Sequence, residues 1–254
     1  MDLFDLKGRV AIVTGGNGGI GLGMAEGLAQ AGASIMLAGR NAKKAEAALA
    51  SLRKSGSKAE YCEADVTKEA ACRALVAKTA ETFGRVDILI NNAGTTVRKP
   101  VEQLTLAEWN FVMDTNLTSA FMCGQAVYPA MLKAQGGKIV NVGSMLSIFG
   151  TGYGAPYGAS KGGIVQLTKA FATGWAKDNI QANAILPGWI TTELTDGAKR
   201  EVEGLNERVL ARTPAKRWGQ PSDLAGLAVF LSSAASDFVT GAAIPVDGGF
   251  SAQG

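Results

Sequence analysis

Tyr157 and Lys161 stand one helical turn apart, with Ser144 a short way upstream, in a chain that contains no histidine. The absence of histidine removes the commonest general base, the Ser-His-Asp arrangement and every histidine-based metal site. Acid–base chemistry then falls to Tyr, Lys, Asp, Glu or Cys. An i,i+4 pair lies on one face of a helix, within reach of one shared ligand. A phenol alone is a poor base, with a pKa of about 10, but a neighbouring ammonium favours the phenolate. Such a tyrosine can protonate a developing alkoxide and take the proton back in the reverse direction.

The elements that must hold these groups begin near the N-terminus. Residues 9–14 form a short apolar run of strand type, followed by Gly15-Gly-Asn17-Gly-Gly19-Ile20-Gly21 and a helical stretch over 22–30. Strand, glycine loop and helix is the context of a dinucleotide site. Gly15 allows the tight turn, Gly19 lets the backbone approach a pyrophosphate, and Gly21 lets helix and strand pack closely. Phosphates there meet free N–H groups and the positive end of the helix dipole.

Strand-like and helix-like segments then alternate along the chain. Strands are expected near 9–14, 34–38, 58–63, 86–90, 137–142, 180–185 and 241–246. Helices are expected near 19–31, 42–54, 67–83, 105–133, 155–177, 197–211 and 222–233, with Thr105 and Glu108 forming a capping box. Continuous apolar strands such as Ile88-Leu89-Ile90 suit a parallel sheet covered on both faces. The fold class expected is α/β: one doubly wound Rossmann domain over 1–254, with a parallel sheet of about seven strands and helices on both faces. The stretch 190–215 breaks the rhythm and is long enough to be a substrate lid.

Composition fits this reading. The chain has 254 residues, 47% of them hydrophobic, and a net charge of +3. Its cations, among them Arg40, Lys43-Lys44, Arg98-Lys99 and Lys216-Arg217, never merge into a run, which argues against nucleic-acid binding. No apolar stretch reaches the roughly 20 residues of a membrane span. Met1-Asp-Leu-Phe-Asp5 lacks the basic and apolar regions of a signal peptide. Cys62, Cys72 and Cys123 are odd in number and widely spaced, as expected of reduced thiols in a cytoplasmic protein. No cluster of metal ligands is evident, so no metal is expected.

The motifs arrive in an order that resembles the short-chain dehydrogenase/reductase family over essentially the whole chain. They are Thr14-Gly15-x-x-x-Gly19-x-Gly21, Asp65-Val66, Asn91-Asn92-Ala93-Gly94, Asn116, Ser144, Tyr157-x-x-x-Lys161, Pro187-Gly188 and Val246-Asp-Gly-Gly249. The resemblance implies a catalytic set of Asn116, Ser144, Tyr157 and Lys161. In that set Ser144 holds the substrate oxygen, Tyr157 donates or accepts the proton, and Lys161 binds the nicotinamide ribose while depressing the Tyr157 pKa. Asn116 would hold a water linking Lys161 to solvent. Asp65 and Val66 would meet the adenine, while Asn91, Asn92, Ala93 and Gly94 would support the ribose and the central sheet. Asn17, Ile20, Pro187, Gly188, Ile190 and Thr192 would complete the cofactor site, Thr192 fixing the carboxamide. A homotetramer is implied as well, with the long fourth and fifth helices paired across two-fold axes and 246–254 reaching a neighbour.

Cofactor choice is read at the end of the second strand. An Asp or Glu there would bind the ribose hydroxyls of NAD. This chain has Gly39 followed by Arg40, and an arginine can pair bidentately with a 2′-phosphate. NADP is therefore expected, with NAD possible. Asn17 leaves the glycine loop without the second basic contact common in NADP-binding relatives.

The expected substrate is a small ketone or alcohol, in a pocket walled by Leu146, Tyr153, Trp189 and the 190–215 stretch. Arg98-Lys99-Pro100 offers a cation near that pocket, and with Ser144-Met-Leu-Ser147 it resembles the gluconate and deoxygluconate dehydrogenase branch. A solvated pair on a loop is the competing reading of Arg98 and Lys99. Two further functions remain open. One is a reductase of 3-oxoacyl groups on an acyl carrier protein, whose acidity wants basic residues near the pocket; residues 105–132 have none. The other is a non-catalytic cofactor sensor on the same fold.

Overall fold

Val10 pairs in parallel with Ser34 and Ala11 with Ile88, and the central strands are buried on both faces, whereas the edge strand over 59–63 carries the exposed Glu60 and Glu63. The computed structural model describes residues 3–54 and 56–253. The first residues of the N-terminal segment read above, Met1 and Asp2, and the last of the C-terminal stretch, Gly254, lie outside the described residues, as does Ser55.

The strands are β1 (Val10–Thr14), β2 (Ser34–Gly39), β3 (Ala59–Glu63), β4 (Ile88–Asn91), β5 (Gly137–Val142), β6 (Ile180–Pro187) and β7 (Ala243–Val246). They form one seven-stranded sheet in the order β3-β2-β1-β4-β5-β6-β7, with every pairing parallel. The order reverses between β1 and β4. A crevice opens beyond the carboxyl ends of strands at such a switch point.

The helices are α1 (Gly19–Gln30), α2 (Ala42–Lys54), α3 (Glu69–Phe83), α4 (Leu106–Met113), α5 (Ser119–Lys133), α6 (Ala155–Trp175), α7 (Glu193–Glu201), α8 (Leu205–Arg212) and α9 (Ala225–Ser232). The period-2 alternation of strand side chains splits the core into two layers. Ala11, Val13, Ile35, Leu37, Ile88 and Ile90 pack with Met24 and Leu28 of α1 and Ala228 and Leu231 of α9. Ile12, Met36, Leu89 and Ile139 point the other way, onto Leu75 of α3, Val127 and Met131 of α5 and Phe171 of α6. The doubly wound α/β expectation is correct.

Two helix expectations need revision. The run over 105–133 opens with the expected capping box, in which Thr105 Oγ1 accepts from Glu108 N at 3.2 Å and Thr105 N donates to Glu108 Oε2 at 3.0 Å. It is interrupted, however, by a π-helical turn over Asp114–Thr118 between α4 and α5. Such turns widen the helix by one residue and recur at functional sites. The single helix expected over 197–211 is two. Thr192 caps α7 from its extended backbone, Val202 is extended again, and Gly204 takes a left-handed φ of 63°, which starts α8 in a new direction. Among the described residues no helix is long and apolar enough to cross a membrane.

Candidate active site

The crevice at the switch point has two connected halves. One, of about 440 Å³, is lined by Gly39, Arg40, Asp65, Val66 and Ala93. The other, of about 340 Å³, is lined by Gly19, Ile20, Asn92, Gly94, Tyr157 and Lys161 on one side and Pro187, Gly188, Ile190 and Thr192 on the other. Asn17 borders both halves. The expected cofactor residues therefore converge on a single groove.

The glycine loop is fixed from below. Thr14 Oγ1 accepts from the backbone N–H groups of Asn92 and Ala93 at 3.0 and 3.1 Å. Asn92 Nδ2 donates to the carbonyls of Thr14 and Gly15, both at 3.0 Å. Gly15 needs its left-handed φ of 62° to make this turn. A Cβ on Gly21 would lie 2.4 Å from Asn92 Nδ2 and 2.5 Å from Gly15 O, so any side chain there breaks the clamp. Above the loop the crevice is open. A Cβ on Gly18 would meet nothing within 4 Å, and α1 starts from Gly18 with no side-chain cap. An uncapped helix start facing an open groove fits the pyrophosphate of a dinucleotide.

At the adenosine end, Asp65 Oδ1 accepts from Thr67 Oγ1 at 2.8 Å and Thr67 N at 3.1 Å. The Thr67 hydroxyl, with a contribution from the nearby Arg40 charge, lowers the Asp65 pKa. The glycine loop brings no basic side chain to the groove, but α2 does. Lys44, from the first turn of α2, borders both halves of the groove. Its Nζ reaches across to Glu193 Oε2 of α7 at 2.5 Å. Asn91, by contrast, belongs to the sheet and not to the groove: buried, it donates to Asn141 Oδ1 at 2.9 Å and to Ala120 O at 3.3 Å.

The reacting groups meet where this groove adjoins a third cavity. Ser144 follows β5 and caps the turn Met145–Ser147, its Oγ accepting from Leu146 N at 3.1 Å. Ser147 Oγ accepts from Ser144 N at 3.1 Å and donates to Lys161 O at 2.7 Å, which ties the turn to α6. Tyr157 sits in the first turn of α6, hydrogen-bonded to the Ser144 side chain. Lys161 is buried, with Nζ donating to Val142 O at 2.6 Å and 5.7 Å from the centre of the Tyr157 ring.

The expected depression of the Tyr157 pKa by Lys161 is not found. Burial raises the Tyr157 pKa above 10.0, and the hydrogen bond to Ser144 and the charge of Arg98 oppose it only in part. Lys161 has its own pKa brought down to about 8 by burial. Its ammonium donates to a backbone carbonyl and lies over the ring of Tyr157.

Asn116 also has a more structural role than expected. Its Oδ1 accepts from Thr95 N at 2.7 Å, while Nδ2 donates to Thr95 O and to Ser160 Oγ, both at 3.0 Å. Ser160 Oγ in turn donates to the Tyr157 carbonyl at 2.8 Å. Both amide N–H groups are spent, so a water linking Lys161 to solvent would have to donate to a carbonyl oxygen of Asn116. Asn116 braces the Gly94-Thr95 loop against the start of α6, from the π-helical turn.

The third cavity, about 250 Å³, holds the expected substrate residues Leu146, Tyr153, Trp189 and Arg98 beside Ser144 and Tyr157. Arg98 is no solvated loop residue. Its Nη1 pairs with Glu201 Oε2 at 2.8 Å and its Nη2 donates to Leu194 O at 3.1 Å, both on α7. Lys99 turns away and pairs with Glu108 of the capping box. Arg212 of α8 and Phe250, which sequence reading did not single out, line the cavity too.

Known proteins match this arrangement closely. A family model described as enoyl-(acyl carrier protein) reductase matches residues 15–251. The 2-dehydro-3-deoxy-D-gluconate 5-dehydrogenase of Formosa agariphila is 43% identical over 250 residues, 98% of this chain and 95% of that protein. The gluconate 5-dehydrogenase of Gluconobacter oxydans is 44% identical over 248 residues, covering 98% and 96%. The crystal structure of a gluconate 5-dehydrogenase from Burkholderia cenocepacia in complex with NADP and tartrate superimposes with a TM-score of 0.94 at 41% identity, over 100% of this chain and 99% of that one. With the ordered motifs, the doubly wound sheet and the Ser144, Tyr157 and Lys161 cluster, these matches make the chain an oxidoreductase of the short-chain dehydrogenase/reductase family.

Proposed function

We propose that the protein is an NADP(H)-dependent oxidoreductase that interconverts a ketone and a secondary alcohol on a sugar acid. The observation that carries this is the position of Tyr157, which borders both the dinucleotide groove and the substrate cavity. Bound in the groove, the nicotinamide cofactor would supply or accept the hydride. Arg40 would meet its 2′-phosphate, Asp65 and Val66 its adenine, and Thr192 its carboxamide.

The chain's own groups handle charge and proton. The Ser144 hydroxyl and the Tyr157 phenol both face the substrate cavity, where they can donate to an oxygen that gains negative charge. Tyr157 delivers its proton to that oxygen in reduction and takes it back in oxidation. Because burial keeps the phenol protonated, the free protein is poised as an acid. Leu146, Phe149 and Trp189 exclude water from the reacting carbon, and α7 and α8 act as the lid over it.

The names of the relatives favour a sugar acid over an acyl carrier substrate. So does the surface: α4 and α5 present Leu106, Phe111, Phe121 and Leu132 to solvent, an apolar face with no basic residue before Lys133 to receive an acidic carrier protein. An intact Ser144, Tyr157 and Lys161 set argues against a silent cofactor sensor. The deciding experiment is a panel of gluconate-type acids, their keto forms and uncharged ketones, followed by the absorbance of the reduced nicotinamide. Turnover restricted to acyl-thioesters, or none at all, refutes the proposal.

The same apolar face supports a homotetramer built through α4, α5 and α6. Static light scattering should give about four times the 26.2 kDa chain mass; a monomer refutes this assembly. The three free thiols, Cys62, Cys72 and Cys123, suit the reducing cytoplasm as the place of action.

A further inference from the structure

The substrate cavity is walled by two guanidinium groups and, among the described residues, by no carboxylate. The two cations are in different states. Arg98 is tied to α7 by both terminal nitrogens, one on Glu201 and the other on the Leu194 carbonyl. Arg212 has no carboxylate within ion-pair distance among the described residues. It is held by rings instead: its Cζ lies 4.8 Å from the centre of Phe149 and 4.2 Å from that of Phe250. The two rings meet edge to face at 6.1 Å, an interplanar angle of 74°.

This packing has a chemical consequence. Contact with ring faces holds a guanidinium by its charge rather than by a hydrogen-bond acceptor, and among the described residues no acceptor takes the N–H groups of Arg212. Those donors form the fork that matches a carboxylate bidentately. The cation's position is also set before any ligand arrives, because its supports come from three separate places: α8, the loop after Ser144 and the tail after β7. A fixed cation binds an anion without first losing side-chain freedom. Arg98 would have to release Glu201 before it could do the same, and that release would loosen α7 over the cavity.

We infer that Arg212 is the receptor for the substrate's carboxylate, and that Arg98 is the latch holding α7 closed. The inference rests on the sugar-acid reading above and names the residue that would enforce it. It places the carboxylate at the α8 side of the cavity, with the reacting carbon at Tyr157.

The test compares wild type with Arg212→Met, Arg212→Gln and Arg98→Met. Two readouts are used: calorimetric titration of gluconate into enzyme saturated with NADPH, and the ratio of kcat/KM for gluconate over that for an uncharged alcohol from the panel. Arg212→Met should weaken gluconate binding by about 10- to 150-fold, the factor a lost charge-assisted hydrogen bond produces, and lower the ratio by a similar factor. Arg212→Gln removes the charge but keeps a planar polar group against the rings, and carries the same expectation if the methionine variant does not fold. Arg98→Met should lower kcat/KM for both substrates together and leave the ratio in place. A ratio that collapses in Arg98→Met and survives in both Arg212 variants overturns the inference. Wild-type protein that neither binds nor oxidises any sugar acid overturns the functional reading, and this inference with it.

Discussion

Tyr157→Phe should lower turnover by about 10² to 10⁴, the range over which a positioned general acid contributes. The substitution removes one oxygen from the wall shared by the groove and the substrate cavity, and leaves the ring that packs against Lys161. Cofactor affinity, read by quenching of tryptophan fluorescence, should therefore stay near wild type. The pH dependence has a definite sign. Reduction needs the phenol, and a pKa raised above 10.0 keeps it protonated through the neutral range. Oxidation needs the phenolate, so its rate should climb with pH. A Tyr157→Phe variant with comparable activity would remove this mechanism. One that is inactive but no longer binds cofactor would make Tyr157 a structural residue.

Gly39→Asp should move cofactor preference from NADP towards NAD by roughly two to three decades, since about 1.4 kcal/mol is tenfold and charge-assisted hydrogen bonds are worth about 1.5–3 kcal/mol each. The site can accept the new side chain. A Cβ on Gly39 would meet only the Asn17 side chain, at 3.3 Å, and Gly39 is an ordinary strand residue of β2. The carboxylate would repel a 2′-phosphate, capture Arg40 in an ion pair, and offer the two ribose hydroxyls an acceptor. The ratio of kcat/KM with the two cofactors, before and after substitution, decides the matter. An unchanged ratio, or a wild type that already prefers NAD, would make Arg40 a surface residue.

Much of this architecture could be read before any coordinates. The runs at 10–14, 34–39 and 137–142 read as strands because apolar residues dominate them, despite Lys138 and Asn141 in the last, and the glycine loop could be placed because Gly15 and Gly21 have no substitutes. Spacing singled out Tyr157 and Lys161, and the resemblance added Ser144 and Asn116 to them. What escaped depends on tertiary reach or on burial. Lys44 looks like any surface lysine of α2, and only the fold carries it across the groove to Glu193. Arg212 gains meaning only when Phe149 and Phe250, far apart in sequence, close on it. Spacing placed Lys161 beside Tyr157 but could not show that its ammonium faces a carbonyl, nor that burial dominates the phenol. The break at Val202–Gly204 was hidden because charged residues flank it on both sides at helix-like spacing, although Gly204 marks it.

The π-helical turn over Asp114–Thr118 ties the active site to the hydrophobic core through chain length itself. Upstream of the turn, α4 is anchored by its capping box. Downstream, Cys123, Val127 and Met131 of α5 are seated against the sheet. Asn116 occupies the extra width between them. Each residue added to or taken from a helix rotates everything beyond it by about 100° and shifts it by about 1.5 Å. Deleting one codon here would restore an ordinary α-helix, but either Asn116 would leave Thr95 and Ser160, or the whole inner face of α5 would turn out of the core. Neither outcome can be reached in steps that keep both. A one-residue insertion or deletion in this segment should therefore cost either the Asn116 brace or the seating of α5, a penalty that the Val202–Gly204 junction between two short helices does not carry.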